Sequence, residues 1–106
     1  MQVAYIAGPY RATTINGIVE NIRRAEAVAI EFWQKGYAVI CPHKNTALFD
    51  GIVGDHVWLN GDLEIMKRLK PNYDVIVMVR GWEDSMGAKE ELRFAKELGL
   101  EVLYAN

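Results

Sequence analysis

The chain has 106 residues, 51% hydrophobic and 25% charged, with a net charge of −2. This is the composition of one globular domain, expected to span 1–106, with no electrostatic case for binding nucleic acid or an anionic membrane. The single cysteine, Cys41, excludes an intrachain disulfide and suits a reducing, cytoplasmic setting; the histidine and cysteine count argues against a structural metal site, and no stretch reads as a membrane span or signal peptide.

Val3-Ala4-Tyr5-Ile6-Ala7 is a short apolar run and predicts the first strand. It stops at Gly8-Pro9-Tyr10-Arg11, because proline cannot donate to a ladder and glycine permits a sharp exit. Residues 12–17 read as a turn. A helix follows from about Ile18 to Lys35, with Ile18, Ile22, Ala25, Ala29 and Phe32 as its apolar stripe and Gly36 in the position that ends such helices. Tyr37 to Cys41 is the second strand, with Cys41 as a small core residue, and Pro42 ends it. His43 to Gly54, with Asn45, Asp50, Gly51 and Gly54, reads as a mobile loop.

A further helix is expected from Asp55 to Leu69, with Trp58, Leu59, Leu63, Ile65, Met66 and Leu69 on its apolar side. Gly61 weakens it and suggests close packing or a break. Asp62 lies four residues after Trp58 and three before Ile65, so it is either inward-facing or an exposed carboxylate at a kink. Pro71-Asn72 punctuates, and Tyr73 to Val79 is a β-branched run that reads as a buried strand.

The stretch Gly81 to Glu91 joins that strand to a last helix. Such a corner presents free N–H groups at a helix N-terminus, which favour anions. Ser85 is the expected N-cap. Ala88, Leu92, Ala95 and Leu98 should face the sheet, and Lys89, Arg93, Lys96 and Glu97 the solvent. Glu91, three after Ala88 and four before Ala95, falls on or beside the buried stripe. There it either pairs quietly with a neighbour or has a task. Gly99 ends the helix, and Leu100 to Tyr104 is the fourth strand.

The alternation predicts an α/β fold: a three-layer, Rossmann-like parallel sheet of about four strands with helices on both faces. Right-handed crossovers permit the order 2-1-3-4, in which strands one and three are neighbours at a topological switch point. The loops Gly8 to Arg11 and Gly81 to Gly87 then face each other across one crevice. Arg11, Ser85 and free N–H groups suit a phosphate or carboxylate. Tyr10 and Trp82 offer flat faces for a base or sugar. Glu91 and Asp62 form a carboxylate pair of the kind that cleaves glycosidic bonds through an oxocarbenium-like transition state. There is no Gly-x-x-x-x-Gly-Lys-Ser/Thr, and no Gly-x-Gly-x-x-Gly follows the first strand.

Four segments carry a resemblance: Tyr5 to Arg11, Val39 to His43, Asp62-Leu63, and Ser85 to Ala95, the last similar to a Ser-x-Gly-x-x-x-Glu-x-x-x-Ala pattern. Together the chain resembles the nucleoside 2-deoxyribosyltransferase superfamily, in a compact branch related to the 2′-deoxynucleoside 5′-monophosphate N-glycosidases. The resemblance implies a flavodoxin-like fold and cleavage or exchange of an N-glycosidic bond in a nucleoside or nucleoside 5′-monophosphate. It puts the nucleophile at Glu91 and the assisting carboxylate at Asp62. It assigns a 5′-phosphate to Ser85, Gly87 and Arg11, a sugar pocket to Tyr5 and Gly8, with Pro9 in the same loop, and a place near the base to His43. No cofactor or metal is implied. A pocket closed by a neighbouring subunit implies a homodimer or higher homo-oligomer, and the loop residues Leu48, Phe49, Ile52 and Trp58 are either such a partner surface or local core. The alternatives are a nucleotide-binding module without turnover, and attack on the nicotinamide–ribose bond of NAD.

Overall fold

The structure, a computed structural model, describes residues 1–105. Among these, four strands form one parallel sheet: β1 (Val3–Ala7), β2 (Ala38–Ile40), β3 (Val75–Met78) and β4 (Glu101–Tyr104), in the order β2-β1-β3-β4. Helices α1 (Ile15–Gln34), α2 (Pro42–Asn45), α3 (Asp55–Lys67) and α4 (Met86–Leu98) lie between them in sequence. The expected α/β fold and strand order are therefore observed.

The two inner strands, β1 and β3, are in register from Ala4 opposite Val75 to Ala7 opposite Met78. Alternate side chains go to opposite faces. Ala4, Ile6, Val75 and Val77 meet Ala25, Val28, Ala29 and Phe32 of α1. Tyr5, Ala7, Ile76 and Met78 meet Met66 of α3 and Ala88, Leu92 and Ala95 of α4. Both faces are covered, which is why both strands are apolar throughout. Cys41 is half-buried and packs beside the first of these clusters.

Several boundaries differ from expectation. Helix α1 starts at Ile15, not Ile18, because the Thr14 hydroxyl accepts from the Gly17 N–H at 2.9 Å. That cap offsets the weak helix propensity of Asn16 and Gly17. The segment expected as a mobile loop opens with α2, whose first residue is Pro42, a residue suited to that position. Helix α3 ends at Lys67, two residues early, although Leu69 still packs in the core. It runs unbroken through Gly61, where a Cβ would meet nothing within 4 Å, so this glycine marks neither close packing nor a break.

Gly36 and Gly99 take φ of +94° and +81° after α1 and α4, as their positions required. Asp74 pins the entry of the sheet. Its buried carboxylate accepts from Val3 N–H at 2.8 Å and Lys70 N–H at 2.7 Å. Among the described residues no helix is long and apolar enough to cross a membrane.

Candidate active site at the switch point of the sheet

From β1 the chain crosses by α1 to β2 on one side; from β3 it crosses by α4 to β4 on the other. The C-terminal ends of β1 and β3 therefore open a crevice, of about 760 Å³. That volume is within the usual range for a small-molecule site. The two strand ends touch at its floor. Val79 N–H donates to Ala7 C=O at 2.8 Å, and a Cβ on Gly8 would lie 2.6 Å from the Val79 Cβ. Gly8 thus lets the first loop pass over β3.

Glu91 stands at this floor. It is only 7% exposed, one turn after Ala88 on the inner face of α4, and its carboxyl receives a hydrogen bond from the Tyr5 hydroxyl. Tyr5 has no exposed surface, so it lies behind the crevice wall and acts on Glu91. Burial, reinforced by the charge of Asp62, raises the Glu91 pKa to about 8, against the opposing pull of the Tyr5 hydrogen bond. Asp62, on α3, also lines the crevice, and partial burial raises it to about 6. The two carboxyls therefore hold about one proton between them near neutral pH. Tyr5 itself is pushed well above its ordinary value, first by burial and then by Glu91, so it remains a donor.

The opposite wall is built from the first loop. The Tyr10 hydroxyl donates to Asp50 Oδ1 at 2.5 Å and accepts from Leu48 N–H at 2.9 Å. Arg11 donates to Asp50 Oδ2 at 2.8 Å and also pairs with Asp55. These bonds fasten residues 46–55 to the first loop, so the segment expected to be free is tied down beside the crevice. His43, in α2, is buried and donates from Nε2 to the Pro9 carbonyl at 2.8 Å. Burial pushes its pKa down, which keeps the ring neutral, and the ring sits edge-on to Tyr10 at 5.5 Å.

At the α4 corner, Ser85 caps the helix by accepting from Ala88 N–H at 3.1 Å, as expected. Its O–H proton remains available to donate. Gly87 lies open at the crevice wall, in the first turn, where N–H groups have no intrahelical partner. Gly81, at φ +96°, turns the chain into a 3-10 segment, Trp82–Asp84. This places the Trp82 ring 5.9 Å from that of Tyr104 and against the core, away from the crevice lining.

The structure thus brings Gly8, Pro9, Tyr10, Arg11, His43, Asp62, Ser85, Gly87 and Glu91 to one crevice, sets Tyr5 behind it and leaves Trp82 outside. Sequence reasoning missed Asn21 and Arg24 on α1, and Asp50, Asp55 and Asp84. Asn21 and Arg24 immediately precede the buried Ile22 and Ala25 and so flank the apolar stripe, which was the available signal. Among the described residues no group of histidine, cysteine and carboxylate side chains is arranged to hold a metal ion.

Fold and crevice together define a doubly wound α/β protein with a buried carboxyl at its switch point. Residues 2–104 match the family described as Domain of unknown function (DUF4406), and the chain belongs to that family. No curated protein matches the chain.

Proposed function

We propose that the crevice binds a nucleoside or nucleoside 5′-monophosphate and cleaves its N-glycosidic bond through Glu91. The observation that carries this is the buried Glu91 carboxyl, oriented by Tyr5 and facing the same crevice as Asp62. An oxocarbenium-like centre is a cation, and a carboxylate at a poorly hydrated floor is the group that stabilises it most. Near neutral pH Glu91 holds the pair's proton. Positive charge developing at the anomeric carbon favours its ionised form, and the pair's proton then belongs with Asp62, poised near neutrality to hand it to the departing base. Glu91 attacks or shields the anomeric carbon, the bonding pair leaves with the base, and water or a second base completes the reaction.

The similarity of Ser85 to Ala95 to the N-glycosidase pattern supports the same reading. Hydrolysis of a monophosphate fits better than exchange because Ser85 and the open first turn at Gly87 suit a phosphate. We further infer a homodimer in a reducing, cytoplasmic compartment. The half- to well-exposed Leu48, Phe49, Ile52 and Val57 beside the crevice are the surface a second copy would cover. Sedimentation of the purified protein tests that.

The test of function is chromatographic. The protein is incubated with nucleosides, nucleoside 5′-monophosphates and NAD, and free base is measured. Base release by the wild type, reduced by roughly 10² or more in Glu91→Gln, is the expected result. Binding without release from any substrate would instead identify a nucleotide-binding module.

A further inference from the structure

We propose that Arg24 of α1, and not Arg11 of the first loop, binds the anionic group of the ligand. This rests on reading the crevice as a nucleotide site, and it moves the anion-binding cation to a residue that sequence reasoning did not select.

The crevice is acidic. Asp50, Asp55, Asp62 and Asp84 line it beside the protonated Glu91, against Arg11 and Arg24. Arg11 is committed to this chain's own carboxylates, donating one N–H to Asp50 and another to Asp55. The three groups together carry a net negative charge, so a phosphate approaching Arg11 meets repulsion from both aspartates. To use Arg11 it must also displace the contacts that, with Tyr10, hold residues 46–55 in place.

Arg24 has no carboxylate partner among the described residues. Its one polar side-chain contact there is Asn21 Oδ1, at the 3.5 Å limit of a hydrogen bond. Its fork of donors is consequently free for a ligand oxygen. Two neighbours define where it stands. Asn21, one turn earlier, donates from Nδ2 to the carbonyls of Tyr10 at 3.0 Å and Arg11 at 3.3 Å, which locks this face of α1 against the first loop. Beyond it lies the corner. A Cβ on Gly81 would meet Pro9 Cγ at 3.1 Å and Arg24 Nη1 at 3.8 Å. The guanidinium therefore stands where the first loop meets the turn into Ser85. Any side chain at Gly81 would crowd this junction, and the left-handed backbone there already favours glycine.

A free guanidinium in an otherwise acidic crevice discriminates by charge. A phosphorylated ligand gains a forked, charge-assisted contact at Arg24, whereas an unphosphorylated one gains nothing there. Arg24 is thus a specificity residue, and Arg11 a structural one.

The experiment is calorimetric titration at low salt with ribo- and deoxyribonucleoside 5′-monophosphates, the matching nucleosides and inorganic phosphate. The proteins are the wild type, Arg24→Gln, Arg24→Lys and Arg11→Gln, each checked for folding by circular dichroism. The wild type should prefer monophosphates to nucleosides. Arg24→Gln should weaken monophosphates roughly tenfold or more and nucleosides far less, removing the preference. Arg24→Lys should recover part of it, and Arg11→Gln should retain most of it. A preference that survives Arg24→Gln, or is lost in Arg11→Gln alone, overturns the assignment and leaves the nucleotide reading intact. Nucleoside binding with no preference in the wild type also overturns it. Absence of binding to the whole panel overturns both.

Discussion

Replacing Glu91 with Gln probes the buried carboxyl with no substrate present. Burial raises its pKa from an ordinary 4.5 to about 8, so the folded state holds this proton more tightly than the unfolded chain. Below pH 4.5 both states are protonated and the stability tied to this group is complete. As pH rises towards 8 the unfolded chain releases the proton first, and stability falls; above that, both states are ionised and the slope from Glu91 vanishes. The full span corresponds to about 3 to 5 kcal/mol, a large share of a small domain's stability. Glutamine has no such proton and can still accept from the Tyr5 hydroxyl. Urea unfolding of both proteins from pH 5 to pH 9 should therefore give curves that diverge, the variant gaining on the wild type by roughly 3 kcal/mol or more by the alkaline end. Asp62, raised from 3.8 to about 6, titrates in both proteins and gives both the same loss of stability as pH rises from about 3.8 to about 6. Parallel curves across the range would refute the account, because they would mean that Glu91 ionises in the fold as it does in water.

Tyr5→Phe removes the donor that holds the Glu91 pKa down, so the stability slope should extend to higher pH and base release by the singly protonated pair should persist to higher pH, with a loss of about 1–2 kcal/mol for the carboxyl's missing partner. Gly8→Ala would set a methyl 2.6 Å from the Val79 Cβ, which cannot swing aside, and should cost roughly 1–3 kcal/mol by thermal or urea unfolding. Gly61→Ala fills open space in the middle of α3 and should stabilise by about 1 kcal/mol in the same assay; a loss there would show that Gly61 has a role beyond the helix.

Much of the fold was legible because its signals are local. Apolar runs at Val3 to Ala7 and Tyr73 to Val79, helical stripes between them and glycines at 36 and 99 set the elements and their order. Spacing alone put Glu91 on or beside the buried stripe, since residues three and four apart share a helix face, and the structure places it inward. The α2 helix was missed because a single short turn leaves no periodicity to detect.

The charge state of the crevice was decided by tertiary structure. Arg11 meets Asp50 and Asp55, 39 and 44 residues away, and Tyr5 reaches Glu91 across 86. No local pattern encodes those pairings, because they exist only once the sheet order has placed β1 beside β3 and the loop before α3 has closed on the first loop. A sequence lists which groups can ionise. Which of them do is set by burial and by partners, and both belong to the folded chain. So the sequence marked Arg11 for a ligand's phosphate or carboxylate, while the fold gave that charge to two aspartates and left Arg24 without a carboxylate partner among the described residues.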